Sequence, residues 1–146
     1  MIPSLAKGSV PINAAGKKPP KCTQDLQMCN QKHQHKRYLR YLCWNGSGLS
    51  IHKLDELKVW CSEQGIDILI LTETRWRYSN EWMDPHWMYL HTGCSTQPGA
   101  GIMLLISTSV CTHHDLRWHE VVPGRLVHVQ IRLRQRCLDV IACYKH

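Results

Sequence analysis

A chain of 146 residues with 43% hydrophobic content is long enough to bury the core of one domain. No run reaches the roughly 18 apolar residues of a membrane span, and Pro3, Lys7, Gly8 and Pro11 interrupt any signal-peptide core, which argues against membrane and secreted classes. The net charge of +7 is uneven: residues 1–37 carry seven Lys/Arg against the single acid Asp25, and the rest is nearly balanced.

Residues 1–37 are rich in Pro, Gly, Lys and Gln and show no hydrophobic period. They read as a disordered basic leader, able to attract DNA by releasing its counterions or acting only as a solubilising tail. Within it, Cys22, Cys29, His33 and His35 raise the question of zinc. Cys22 and Cys29 are too far apart for the usual knuckle, and His33-x-His35 is too close for a finger helix. Lys17-Lys18 with Lys21 is too sparse to establish nuclear import, so a nuclear location rests on the substrate alone.

Tyr38–Trp44 has the aromatic and apolar content of a strand, broken by Gly46-Ser47-Gly48. Ser50 can cap a helix in which Ile51, Leu54, Leu57 and Cys61 face inward and His52, Asp55, Glu56 and Glu63 face out; Gly65 stops it. Ile66–Leu71 is a continuous apolar run, as in a strand buried on both faces. Two strands joined by one helix are parallel with a right-handed crossover. If they are neighbours, Asn45 and Glu73 face one crevice at the carboxyl ends of the strands, where open α/β sheets bind ligands. A carboxylate and an amide oxygen there suit Mg²⁺, a hard cation that prefers oxygen. By spacing alone, Asn45 can equally open a turn and Glu73 end a strand in solvent.

Arg75–His86 reads as polar and turn-like, Trp87–His91 as a short strand, and Gly93–Gly99 as a loop. Ala100–Ser107 is a buried strand. No Lys-Ser/Thr follows Gly99-Ala100-Gly101, so these glycines signal close backbone approach rather than a phosphate loop. Thr112–Pro123 reads as a polar connection whose histidines His113, His114 and His119 are exposed. Val127, Val129, Ile131 and Leu133 alternate with polar residues through Arg125–Arg134, and Leu138–Cys143 follows as a second strand of a hairpin. Arg134-Gln135-Arg136 lacks the Asn-Gly chemistry of a tight turn, which predicts a connection longer than two residues. Cys43, Cys61, Cys137 and Cys143 fall within apolar patterns and read as small, reduced hydrophobes.

Tyr41-Leu-Cys-Trp-Asn45 and Ile68-Leu-Ile-Leu-Thr-Glu-Thr-Arg-Trp76, with the intervening helix, resemble the endonuclease/exonuclease/phosphatase superfamily. The flavour is that of the endonuclease domains of non-LTR retrotransposon proteins. Ala100–Ile106, Pro123–Val129 and Cys137–His146 look like later strands of the same family, so the resemblance covers about residues 38–146. It implies an α/β fold with mixed sheets, the N-terminal half of a four-layer αββα sandwich. It also implies a Mg²⁺ (or Mn²⁺) site with Glu73 as ligand and Asn45 arranging metal and phosphate. Tyr144 would help to hold the scissile phosphate. The Asp-x-Asn that positions the attacking water and the final Asp-His are both missing from the 146 residues.

The expectation is therefore a fragment or relic of a Mg²⁺-dependent, DNA-nicking retrotransposon endonuclease, inactive alone. The alternatives are a phosphoesterase of the same superfamily acting on a non-DNA substrate, and a non-catalytic module that binds nucleic acid or a partner protein. Such a half is expected to form one mixed sheet with a helix on one face and nothing on the other. A bare apolar face would favour self-association or a partner.

Overall fold

The computed structural model describes residues 38–145; the basic leader and the Cys22, Cys29, His33 and His35 set lie outside them. The described elements run β1 (Tyr41–Asn45), α1 (Ile51–Glu63), β2 (Ile68–Thr72), β3 (Asn80–Met83), β4 (Trp87–Thr92), β5 (Ile102–Ser107), β6 (Leu116–Val122), β7 (Leu126–Leu133) and β8 (Arg136–Cys143). A single 3-10 turn, His113–Asp115, precedes β6. No helix among the described residues is long and apolar enough to cross a membrane.

The first unit follows from its local chemistry. Ser50 caps α1 by accepting from the Lys53 amide at 3.2 Å. The far end closes in a Schellman arrangement, with the Ile66 amide reaching back to the Cys61 carbonyl at 2.9 Å past Gly65, whose φ of +66° a side chain would strain. The chain re-enters as β2, parallel to β1 with Asn45 opposite Thr72. The sheet order is β1-β2-β5-β4-β3, antiparallel from β2 onward.

This sheet is covered on both faces. On one side Leu54 and Cys61 of α1 pack with Leu69, Leu71, Trp87, Tyr89, Met103 and Leu105. On the other, Ile68, Met88, Leu90, Ile102, Leu104 and Ile106 pack against Val127, Val129, Ile131 and Ala142. The latter four belong to a second, antiparallel sheet of order β6-β7-β8. The expectation of a single sheet with a bare face is thus corrected: β6–β8 form their own layer. The alternation of β7 that marks it as half-buried puts its apolar side onto the first sheet. Glu120 of β6 ties the layers together, accepting hydrogen bonds from Thr92 and from Ser79, the latter at 2.7 Å.

Other expectations also change. Arg75–His86 contains β3, and Thr112–Pro123 contains β6. In β3 Trp82 alone is half-buried, and in β6 the half-buried positions are Leu116, Trp118 and Glu120, so their alternation is weak in hydropathy. His119 lies on β6 and not in a loop, though it is exposed. The β7–β8 turn is two residues long, since Leu133 pairs with Arg136, and neither Arg134 nor Gln135 takes a positive φ. Of the four cysteines read as small hydrophobes, Cys61 is buried, whereas Cys43, Cys137 and Cys143 are exposed on the edge strands β1 and β8. Ile51, expected inward, is 63% exposed at the first turn of α1.

Candidate active site

The parallel pairing of β1 and β2 carries on past the last ladder pair. The Gly46 amide donates to the Thr72 carbonyl at 2.8 Å, Gly48 to Glu73 at 2.8 Å, and Leu49 to Thr74 at 3.0 Å. From the other side, Thr74 and Arg75 donate to the carbonyls of Gly101 and Ala100 at 3.2 and 3.1 Å. Residues 72–75 are thereby held between two backbones. This clamp sustains an uncommon geometry, with Ser47, Glu73 and Arg75 at φ values of 46°, 54° and 62°. A left-handed non-glycine residue costs about 1–3 kcal/mol and persists where its surroundings over-determine it.

Glu73 Oε1 accepts from Asn45 Nδ2 at 2.8 Å and from the Tyr144 hydroxyl at 2.8 Å. The orientation of the Asn45 amide is fixed by its other end, because Oδ1 accepts from the Ser47 amide at 2.9 Å and must be the oxygen. Tyr144 arrives from the end of β8, its amide bound to the Arg125 carbonyl at 2.8 Å. The three residues singled out in the sequence, Asn45, Glu73 and Tyr144, therefore meet at one point. The hydrogen bond to Glu73, reinforced by the carboxylate charge, holds the Tyr144 phenol above its ordinary range, so it is a donor at neutral pH. Arg125 and Arg75 act in the opposite direction, which places two guanidinium groups in electrostatic range. Arg75 also lies over Gly48, with its Cδ 3.4 Å from where a Cβ would stand.

Sequence reasoning passed over the support behind this edge. Thr74, fully buried, hydrogen-bonds through Oγ1 to His91 Nε2 at 2.9 Å, and His91 Nδ1 meets the Tyr78 carbonyl at 2.6 Å. A carbonyl can only accept, so Nδ1 carries the proton and Nε2 accepts from Thr74. Burial pushes the His91 pKa down, consistent with this neutral tautomer. A polar residue closing the apolar run Trp87–Leu90 was the available signal. Gly101, at φ +125°, packs so closely on Thr74 Oγ1 that any Cβ would collide with it. The histidines His113 and His119 are elsewhere, against Glu81 and His128 respectively.

The Glu73 carboxylate, with Asn45 and Tyr144 donating to it and the charges of Arg75 and Arg125 felt at Tyr144, makes a small polar point at the sheet edge. Mg²⁺ is often held by one or two protein carboxylates plus substrate phosphate oxygens and water. Glu73 fits that donor chemistry as one ligand. No group of three His, Cys, Asp or Glu that could hold a metal unaided occurs among the described residues. Asn45, with its oxygen turned to Ser47 and its nitrogen to Glu73, orients the carboxylate in this arrangement.

No family model matches the chain, and no curated protein matches it. Among solved structures, the AP endonuclease LMAP from Leishmania major superposes on 79% of the chain with a TM-score of 0.56 at 14% sequence identity. The chain shares the fold of that endonuclease. The chain spans 42% of the length of that structure.

Proposed function

We propose that residues 38–145 carry the Asn/Glu/Tyr part of a Mg²⁺-dependent phosphodiesterase centre that nicks DNA, of the kind found in retrotransposon endonucleases. The observation that supports this most is Glu73, fixed on a strained backbone at the carboxyl edge of a parallel strand pair by Asn45 and Tyr144. The retrotransposon assignment rests on the Trp44-Asn45 and Glu73-Thr74 motifs and their neighbours, and DNA as substrate on the basic leader.

Glu73 would be the protein ligand to Mg²⁺, which when bound supplies positive charge against that developing on the phosphate. Asn45 and the protonated Tyr144 hold the carboxylate in place, and Arg75 and Arg125 set positive charge beside the same point, favouring an anionic substrate. No Asp-x-Asn or Asp-His occurs in the sequence. Lack of a positioned general base costs about 10²–10⁴ in rate, so the chain by itself is expected to turn over slowly at best.

The test uses the full chain with supercoiled plasmid in Mg²⁺ or Mn²⁺, and measures duplex binding in parallel. Slow nicking that vanishes in EDTA and in Glu73→Gln supports the reading, as does Mg²⁺ tightening DNA binding in the wild type but not in Glu73→Gln. If neither nicking nor binding distinguishes the wild type from Glu73→Gln, the hydrolytic reading fails. Salt-sensitive binding that survives deletion of residues 38–146 would then favour a nucleic-acid-binding module.

A further inference from the structure

Beside the Glu73 edge, on the α1 side of the first sheet, lies an open cleft of about 550 Å³. Trp76 and Trp82 border it, with Arg77, Tyr78, Asn80 and His91 around them. We infer that this cleft binds a nucleobase of the strand whose phosphate lies at Glu73; the inference rests on the phosphodiesterase reading above and deepens it.

The aromatic rings are already organised for stacking. Trp82 lies on Tyr89 with centroids 4.6 Å apart and planes 8° apart, and Trp76 continues the column at 6.2 Å and 20°. Both separations fall in the range of aromatic stacking. Tyr89 is buried, and Trp76 is pinned by its Nε1 donating to the Leu49 carbonyl at 2.6 Å, so the platform has little ordering left to lose on binding. At the open side Tyr78 is 80% exposed, so its ring is accessible to a ligand in the cleft. The volume lies within the range of small-ligand sites.

The polar lining favours a base over a purely apolar guest. Asn80 accepts from the Glu81 amide through Oδ1 at 2.9 Å, and its Nδ2 has no hydrogen-bond acceptor among the described residues. Arg77 brings a guanidinium that can stack on a base or pair with a phosphate. Both His91 nitrogens are engaged, by Thr74 and by Tyr78, so the imidazole forms wall and not a recognition group. Continuity with the candidate active site is covalent: Glu73, Thr74, Arg75 and Trp76 are consecutive, and three Cα steps span at most about 11 Å. A phosphate at Glu73 and a base one or two nucleotides away can therefore occupy the two places together.

The experiment compares two labelled single-stranded 8-mers of equal charge, oligothymidine and the same backbone with abasic residues, titrated with the full chain in EDTA. Equal charge cancels the contribution of residues 1–37, which contain no Trp, Tyr or Phe. Stacking on an aromatic platform predicts about 5- to 100-fold tighter binding of the base-bearing strand, together with quenching of tryptophan fluorescence. Tyr78→Ala and Asn80→Ala, both at exposed positions, should bring that ratio toward one and leave abasic binding unchanged. Equal affinity of the two strands for wild type, or a ratio unmoved in both variants, overturns the inference. Base-dependent binding in a chain whose nicking and Mg²⁺-tightened binding do not differ between wild type and Glu73→Gln keeps the cleft and removes the hydrolytic reading. Nicking without base dependence removes the cleft alone.

Discussion

Each end of the five-stranded sheet carries a carboxylate that receives a tyrosine hydroxyl, and the two are built differently. In the β3–β4 turn Asp84 takes the Tyr89 hydroxyl at 2.5 Å, the amides of His86 and Trp87 at 2.8 Å each, and Lys58 of α1 at 3.1 Å. At the opposite end Glu73 takes the Tyr144 hydroxyl and the neutral amide of Asn45, from a residue at φ 54°. Burial alone would raise the Asp84 pKa, yet the hydrogen bonds from Tyr89, from two amides and from Lys58 outweigh it and hold the carboxyl well below its usual range. Burial and the bond to Asp84 push the Tyr89 hydroxyl up to about 12. A carboxylate saturated by a cation and several donors is a structural joint. One oriented by Asn45 and Tyr144 on a strained strand end, at the carboxyl edge of a parallel strand pair, is placed to meet something from outside.

The largest effect that separates the two ends is functional. Glu73→Gln should lower Mg²⁺-dependent nicking by about a hundredfold or more, the scale of removing a main electrostatic group from a centre. Asp84→Asn should leave the nicking rate of the folded fraction unchanged. Plasmid nicking at equal folded concentrations reads both, and a matching loss in the two variants would erase the distinction.

Next is the backbone clamp that gives the Glu73 end its strain. Gly101→Ala forces a Cβ against Thr74 at a φ of +125°, and should destabilise by about 3 kcal/mol, measured by urea unfolding. Full stability in this variant would show that the close approach is not required.

Asp84→Asn should cost about 2 kcal/mol, the scale of hydrogen bonds to a charged group that is mostly buried. Because the folded pKa of Asp84 lies below its unfolded value, this contribution is complete above the ordinary carboxylate range near pH 4 and is lost as the pH falls through the folded value. Urea unfolding across that range should show wild type losing its advantage over Asp84→Asn in acid. A constant gap would refute the linkage.

The smallest effect concerns Tyr144. Tyr144→Phe removes one hydrogen bond to the charged Glu73 and keeps the ring. It should slow nicking about tenfold with little change in melting temperature. A tenfold loss in nicking that instead tracks a lower melting temperature would make Tyr144 a packing residue.

Much of the Glu73 end was legible in the sequence, and for an identifiable reason. Tyr41–Asn45, the capped helix and Ile68–Thr72 form a crossover of fixed hand, so Asn45 and Glu73 had to emerge on one edge once their strands paired. Tyr144 joined them only because β8 returns to that edge beside Arg125, a non-local event that no local pattern encodes. The Asp84 end was read as polar and turn-like, and its function as a joint was invisible. Its partners Lys58 and Tyr89 come from a helix and a strand that sequence spacing does not relate.

The chain's own residues determined the strand and helix types of the first unit, the caps at Ser50 and Gly65, the glycine demanded at 101, and the alternation of β7. All of these depend on neighbours within a few positions. Tertiary structure alone decided that β6–β8 form a separate covering sheet, that β3 and β6 are strands at all, and that Cys43, Cys137 and Cys143 face out. It also decided that Trp76, Trp82 and Tyr89 align into a column beside the edge. Those outcomes depend on which surfaces meet, and burial, unlike periodicity, is settled only when distant segments pack together.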